Sequence, residues 1–276
     1  MIPPIANRFV AGETHPEVLD RARRLNDHNV GAVVNRLGSH HDEWAQVASD
    51  AEAYRTLVED IAGASLDASV TVKPSQVGLD LGEAVFRTFL SDLVETAHSH
   101  GVTVWLDMEE PTTTDATLDA FETLAKAHGG GIGVCVQADL KRTRADLERL
   151  VDVPGRIRLV KGGAYDVSET IAYQEKSRVN AAYRDLLKYA FEHADGGIAV
   201  GTHDPDMIEH AIALHETFGT EFEFQMLMGV REEAQYELAR SYDVSQYVPY
   251  GERWKRWALN RAKNNVRFVA EALVRS

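Results

Sequence analysis

The chain has one cysteine, Cys135, in 276 residues. An internal disulfide is therefore excluded, and the usage fits a reducing, cytoplasmic setting. Cys135 lies in an apolar run and reads as a small core residue. There is no stretch of eighteen apolar residues, so no membrane span is expected, and Met1-Ile-Pro-Pro does not open a secretory signal. Positive charge is scarce: 29 Lys and Arg stand against 43 Asp and Glu, a formal net charge of −14. That balance argues against nucleic acid as a partner and fits a solubilising or salt-adapted surface. No internal repeat, low-complexity segment or linker breaks the chain, so 1–276 reads as one domain. His40, His41, His98 and His100 have no third partner at ligand spacing, so no metal is expected. No P-loop is present, and Gly129-Gly-Gly-Ile-Gly133 precedes a strand instead of following one, which excludes a dinucleotide fingerprint.

What is present is an alternation. Short β-branched apolar runs at 31–36, 68–73, 103–107, 131–137, 157–160, 197–202, 221–227 and 245–250 read as strands. Between them, helical periodicity occupies 42–63, 83–100, 114–128, 144–150, 168–193, 205–218 and 231–242. A helix at 17–29 precedes the series and one at 253–274 closes it. Eight buried strands alternating with helices predict a (βα)8 TIM-like barrel, α/β in class, with an N-terminal helix and a final helix. Such barrels carry their chemistry where strands end at the C-terminal mouth.

Those ends are polar. They supply Lys73; Asp107 with Glu109 and Glu110; Gln137; Arg158 and Lys161; Thr202, His203 and Asp204; Gln225; and Tyr247 with Tyr250. The run Arg156-Ile-Arg-Leu-Val-Lys-Gly-Gly-Ala-Tyr165 is the centre of the set, a strand followed by a glycine turn that lets backbone approach a ligand. Lys73, Arg158, Lys161 and Arg261 facing Asp107, Glu109 and Glu110 suit an anionic cofactor and a zwitterionic substrate. A lysine Schiff base at Lys73 or Lys161, as in barrel lyases and aldolases, is the competing chemistry.

Seven motifs in order carry a resemblance: Val72-Lys-Pro-Ser-Gln-Val-Gly-Leu79, Leu106-Asp-Met-Glu-Glu110, Val136-Gln-Ala138 with Leu140-Lys-Arg-Thr143, Arg158-Leu-Val-Lys-Gly162, Thr202-His203, Phe222-Glu-Phe-Gln-Met-Leu227 and Tyr247-Val-Pro-Tyr-Gly251. Together they resemble the catalytic domain of proline dehydrogenases, over roughly three quarters of the chain, the monofunctional enzymes and the PutA-type domain alike. The resemblance implies a distorted (βα)8 barrel whose last helix lies over the mouth. It implies FAD as cofactor and oxidation of L-proline, or a similar cyclic amino acid, to 1-pyrroline-5-carboxylate by hydride transfer to flavin N5. A quinone or other acceptor would reoxidise the flavin, at a cytoplasmic site that could be peripheral to the inner membrane face. A separate pyrroline-5-carboxylate dehydrogenase would take the next step.

Residue by residue, the resemblance places Arg158 near flavin N5 and Gln137 against the ring, with Val160, Lys161, Gly162, Thr202, His203 and Gln225 holding FAD. Lys73, oriented by Asp107, would bind the substrate carboxylate, and Leu227 and Tyr247 would pack on the pyrrolidine ring. The closing helix departs from the family's Tyr-x-x-Arg-Arg: Trp257 stands at the tyrosine, Asn260 at the first arginine, and Arg261 alone is retained. Lys263 stands where a glutamate is usual, Gly163 is an added glycine, and Asp139 and Asp204 replace a common tyrosine and asparagine. Losing one charged donor of a carboxylate clamp costs about 1.5–3 kcal/mol, so weak activity or a changed substrate is the alternative expectation.

Overall fold

The computed structural model describes residues 6–162, 165 and 167–255. Eight strands, β1 (Gly31–Arg36), β2 (Ala68–Val72), β3 (Val104–Leu106), β4 (Ile132–Gln137), β5 (Arg156–Val160), β6 (Ile198–Gly201), β7 (Phe222–Leu227) and β8 (Asp243–Tyr250), pair in sequence order. Every pair is parallel, and β8 returns to β1 with Val33 opposite Tyr247, so the sheet is a closed barrel with no edge. Eight helices, α1 (His15–Asn26), α2 (Trp44–Gly63), α3 (Glu83–Ser99), α4 (Thr114–His128), α5 (Thr143–Leu150), α6 (Lys176–His193), α7 (Pro205–Phe218) and α8 (Glu232–Leu238), are described around it. The expected TIM-like barrel and N-terminal helix are both present. The expected final helix falls largely outside the described residues, as do Gly163, Trp257, Asn260, Arg261 and Lys263.

Strand residues alternate between two environments, as the period of two requires. Val34, Val72, Leu106, Val134, Leu159, Val200, Phe224 and Val248 join helix residues such as Leu57, Phe86, Phe121 and Phe191 in one large apolar shell. Val33, Trp105 and Ala199, with Tyr247 against them, form a separate small cluster on the opposite face, inside the barrel. Burying each large shell side chain stabilises the fold by about 1.5–3 kcal/mol.

Boundaries moved where local hydrogen bonding competed with periodicity. The first helix starts at His15, because the Glu17 carboxylate accepts from the Thr14 N–H and hydroxyl and caps the end two residues earlier than expected. Its end comes at Asn26, and Asn29 turns the chain with φ 58°. The helix expected from 168 starts only at Lys176. The segment before it is engaged elsewhere: Leu140 and Ala172 form an antiparallel bridge, and Asp139 O accepts from Tyr173 N–H at 2.7 Å. The helix expected to reach 242 stops at Leu238, since Asp243 and Val244 already pair with β7.

Candidate active site

The inward-facing residues at the C-terminal ends of the strands converge on Asp107. Its carboxylate accepts from Arg158 Nη2, from Tyr247 OH at 2.9 Å and from Thr71 Oγ1 at 2.9 Å. Lys73 Nζ stands 3.7 Å away, close enough for an ion pair but beyond a hydrogen bond. Four strand ends thus meet on one carboxylate, and two cations share its single charge. Burial pushes the Asp107 carboxyl up, but Arg158, Lys73, Tyr247 and Thr71 outweigh it and leave the group below the ordinary carboxylate range.

Arg158 is 4% exposed. Its Nη1 donates to Gln225 Oε1 at 2.9 Å, and its guanidinium lies 5.1 Å from the Trp105 ring centroid. Burial opposes its charge, yet Cys135, Asp107 and Tyr247 hold its pKa above the ordinary guanidinium value. Cys135, opposite Arg158 in the sheet register, is buried as expected, and burial pushes its thiol up. The Tyr247 phenol is likewise raised, by burial and then by the neighbouring Asp107 charge.

The β5 and β6 ends form a second group. Lys161 Nζ donates to Asp204 Oδ2 and to Asn180 Oδ1, both at 2.6 Å. Burial raises the Asp204 carboxyl, but Lys161 more than reverses this and leaves it low. The Asp204 N–H donates to Thr202 Oγ1, and His203 Nε2 accepts the Leu227 N–H at 2.9 Å, tying the β6 end to the β7 end. Gly162 is required where it stands: φ is +92°, and a Cβ there would lie 1.9 Å from Asp139 Oδ1. Val160, two residues after Arg158, is half-buried at the end of β5, and a Cβ on Gly201 would lie 2.7 Å from its Cγ1. Gln137 is buried, and its amide reaches Met108 O and Glu109 O only at 3.4 and 3.5 Å, long for hydrogen bonds.

The structure therefore brings together Lys73, Asp107, Gln137, Arg158, Val160, Lys161, Gly162, Thr202, His203, Gln225, Leu227 and Tyr247 around one end of the barrel. Three expectations change. Glu109 pairs with none of the cations, although it feels the charge of Lys73: it is buried against Ser75, accepting from its N–H at 2.7 Å and its hydroxyl at 2.8 Å, and burial raises its carboxyl. Glu110 is exposed. Tyr250 belongs to the apolar shell, 5.6 Å from the His15 ring, because alternation sends Tyr247 inward and Tyr250 outward; burial pushes its phenol up to about 12. Thr71 and Asn180 were not foreseen as partners. Thr71 could have been, since it lies two residues before Lys73 on the same face of β2. Asn180 could not, as it enters from α6.

Known proteins match this arrangement. The family model for proline dehydrogenase covers residues 18–256. Proline dehydrogenase 1 of Bacillus subtilis subsp. natto is 32% identical over 277 residues, covering 98% of this chain and 91% of that one. The proline dehydrogenase of Deinococcus radiodurans is 32% identical over 284 residues, covering 98% and 90%. Among solved structures, proline utilization A from Bdellovibrio bacteriovorus, inactivated by N-propargylglycine, superposes with a TM-score of 0.87 at 20% identity. That match covers 98% of this chain and 35% of the other, so the chain spans about a third of its length. With a barrel of this topology and a match over most of its length, the chain belongs to the proline dehydrogenase family of oxidoreductases.

Proposed function

We propose that the chain oxidises L-proline to 1-pyrroline-5-carboxylate with FAD as its cofactor. The observation that carries this reading is the sharing of Asp107 by two cations, Arg158 and Lys73, at the mouth. Lys73 meets Asp107 only at 3.7 Å, so its donors remain for an incoming carboxylate. Asp107 orients Lys73 for that contact, and Leu227 and Tyr247 flank the same space with apolar surface for a small ring. Holding such a substrate in one pose is most of the catalytic task.

The donor set also fits a flavin. Gln137 presents a buried amide with hydrogen-bonding capacity in reserve, and Arg158 presents a buried cation suited to negative charge on a reduced ring. Val160, Lys161, Gly162, Thr202, His203 and Gln225 would hold the remainder of the cofactor. When bound, FAD supplies the two-electron acceptor for the hydrogen leaving C5 of the substrate. The competing Schiff-base reading has less support, because Lys73 and Lys161 each face a carboxylate and neither sits in the apolar pocket that activates an amine. Reoxidation by a quinone and hand-over to a separate pyrroline-5-carboxylate dehydrogenase complete the proposed route. Among the described residues no helix is long and apolar enough to cross a membrane.

Anaerobic titration of the purified protein with L-proline, following the visible flavin band, tests the whole reading. Bleaching of the band is expected. A band that proline leaves untouched would retain the cofactor and reject the substrate. No band after reconstitution with FAD would reject both.

A further inference from the structure

The hydrogen bonds at the mouth continue down the barrel axis. Below Arg158, Gln225 Nε2 donates to Glu223 Oε1 at 3.0 Å. Glu223 in turn accepts from Ser245 Oγ at 2.7 Å and pairs with Arg156 Nη1 at 2.9 Å. Arg158, Gln225 and Glu223 are all buried.

A glutamine amide has a donor end and an acceptor end of nearly the same shape, and it can be reversed at almost no steric cost. Here the choice is removed. Arg158 can only donate, so it requires the carbonyl end; an ionised Glu223 can only accept, so it requires the amino end. With a guanidinium above and a carboxylate below, one orientation of Gln225 satisfies both. In the reverse orientation, donor would face donor at Arg158 and acceptor would face acceptor at Glu223. Arg158 would then keep Asp107 at one Nη and lose its support at the other.

We infer that Glu223 is a positioning residue for the reaction, fixing the polarity of Gln225 and through it the seat of the Arg158 guanidinium beneath the mouth. The inference rests on the reading of Arg158 as the cation that serves the flavin. A purely structural role for Glu223 is the rival. It would consist of neutralising Arg156, whose side chain is 37% exposed and reaches water, on a floor that also holds Asp67 and Asp243.

The test compares Glu223→Gln, Gln225→Leu and the double variant with the unaltered holoenzyme. The readouts are the reduction potential of bound flavin, proline-dependent kcat and KM, and thermal stability. Glu223→Gln is expected to lower the potential by about 30 mV, a tenfold shift for a two-electron couple. It should lower kcat roughly tenfold while leaving KM within about twofold. Gln225→Leu should do at least as much, and the double variant no more than Gln225→Leu, because the effect passes through that amide. Losses that multiply in the double variant would overturn the inference, as would a Glu223→Gln protein with lowered stability but unchanged potential and kcat. If proline fails to reduce the unaltered protein, the function reading fails and the potential still decides this one. A crystal structure of Glu223→Leu, which offers Gln225 no acceptor, decides it without flavin or substrate: loss of the Arg158–Gln225 contact supports the inference, and an undisturbed contact refutes it.

Discussion

The two faces of β7 differ completely in chemistry. Outward, Phe222, Phe224 and Met226 enter the shell, where the Phe224 ring lies 5.0 Å from Phe222 and 6.1 Å from Tyr242. Inward, Glu223 and Gln225 continue a column of directed hydrogen bonds up to Arg158 and Asp107. The outer face stabilises through area removed from water, which has no direction. The inner face stabilises through pairing, where removing one partner leaves the other buried and unsatisfied. The fold can therefore lose outer-face atoms without losing its chemistry, whereas changes on the inner face alter both together.

The largest effect is expected at Asp107, where three hydrogen-bond donors and the Lys73 ion pair meet. Asp107→Ala leaves the Arg158 charge buried without its counter-ion, at a cost of about 3–5 kcal/mol. Activity per folded molecule should also fall, by roughly a hundredfold or more, because both cations lose their orientation. Urea unfolding combined with proline-dependent turnover would show both. A variant as stable as the parent would mean that the column is not the buried ionic unit described here.

Phe224→Ala is the matched cut on the outer face, one residue from each of Glu223 and Gln225. It should cost a similar 3–5 kcal/mol through lost burial and a cavity. Turnover per folded molecule and flavin content should stay unchanged. If turnover fell as it does in Asp107→Ala, the two faces would not be separable, and the division would fail.

How much of this was legible in the sequence follows the same division. All eight strands were readable, because β-branched runs such as Gly31-Ala-Val-Val bury Ala32 and Val34 on the outer face and Val33 on the inner one, and a short apolar run buried on both faces stands out from its polar flanks. The strand-end residues were readable because the barrel rule says where to look. Their partners were not. Asp107 and Arg158 lie 51 residues apart, and nothing local distinguishes a carboxylate shared by two cations from one paired to Lys73 alone. Glu109 looked like part of the same acidic face, but a rotation of the chain after β3 turns it to Ser75. The late start of α6 was hidden for a related reason: the pairing of 139–141 with 171–173 is long-range, while helical spacing is a local signal. Directed contacts between distant residues leave no period to read.

The smallest effect, and the sharpest probe of the column, is Tyr247→Phe. The phenol donates to Asp107 Oδ2 at 2.9 Å, one of the contacts that keep the carboxyl below its ordinary value. Removing the hydroxyl should cost about 1 kcal/mol at neutral pH and lower turnover a few-fold. The sign with pH follows from linkage. A carboxyl whose folded pKa is depressed contributes stability that is present above its unfolded pKa of about 3.9 and lost as pH falls through the folded value. Without Tyr247 OH, the folded value of Asp107 rises toward the unfolded one, and that contribution shrinks. Parent and variant should therefore differ most in stability near pH 7 and begin to converge only below about 4, the gap closing as pH falls through the lower folded value at which Asp107 protonates in each. Denaturant unfolding across that range measures the gap directly. A gap that persisted undiminished at low pH would mean that the hydroxyl acts through packing and not through the Asp107 charge.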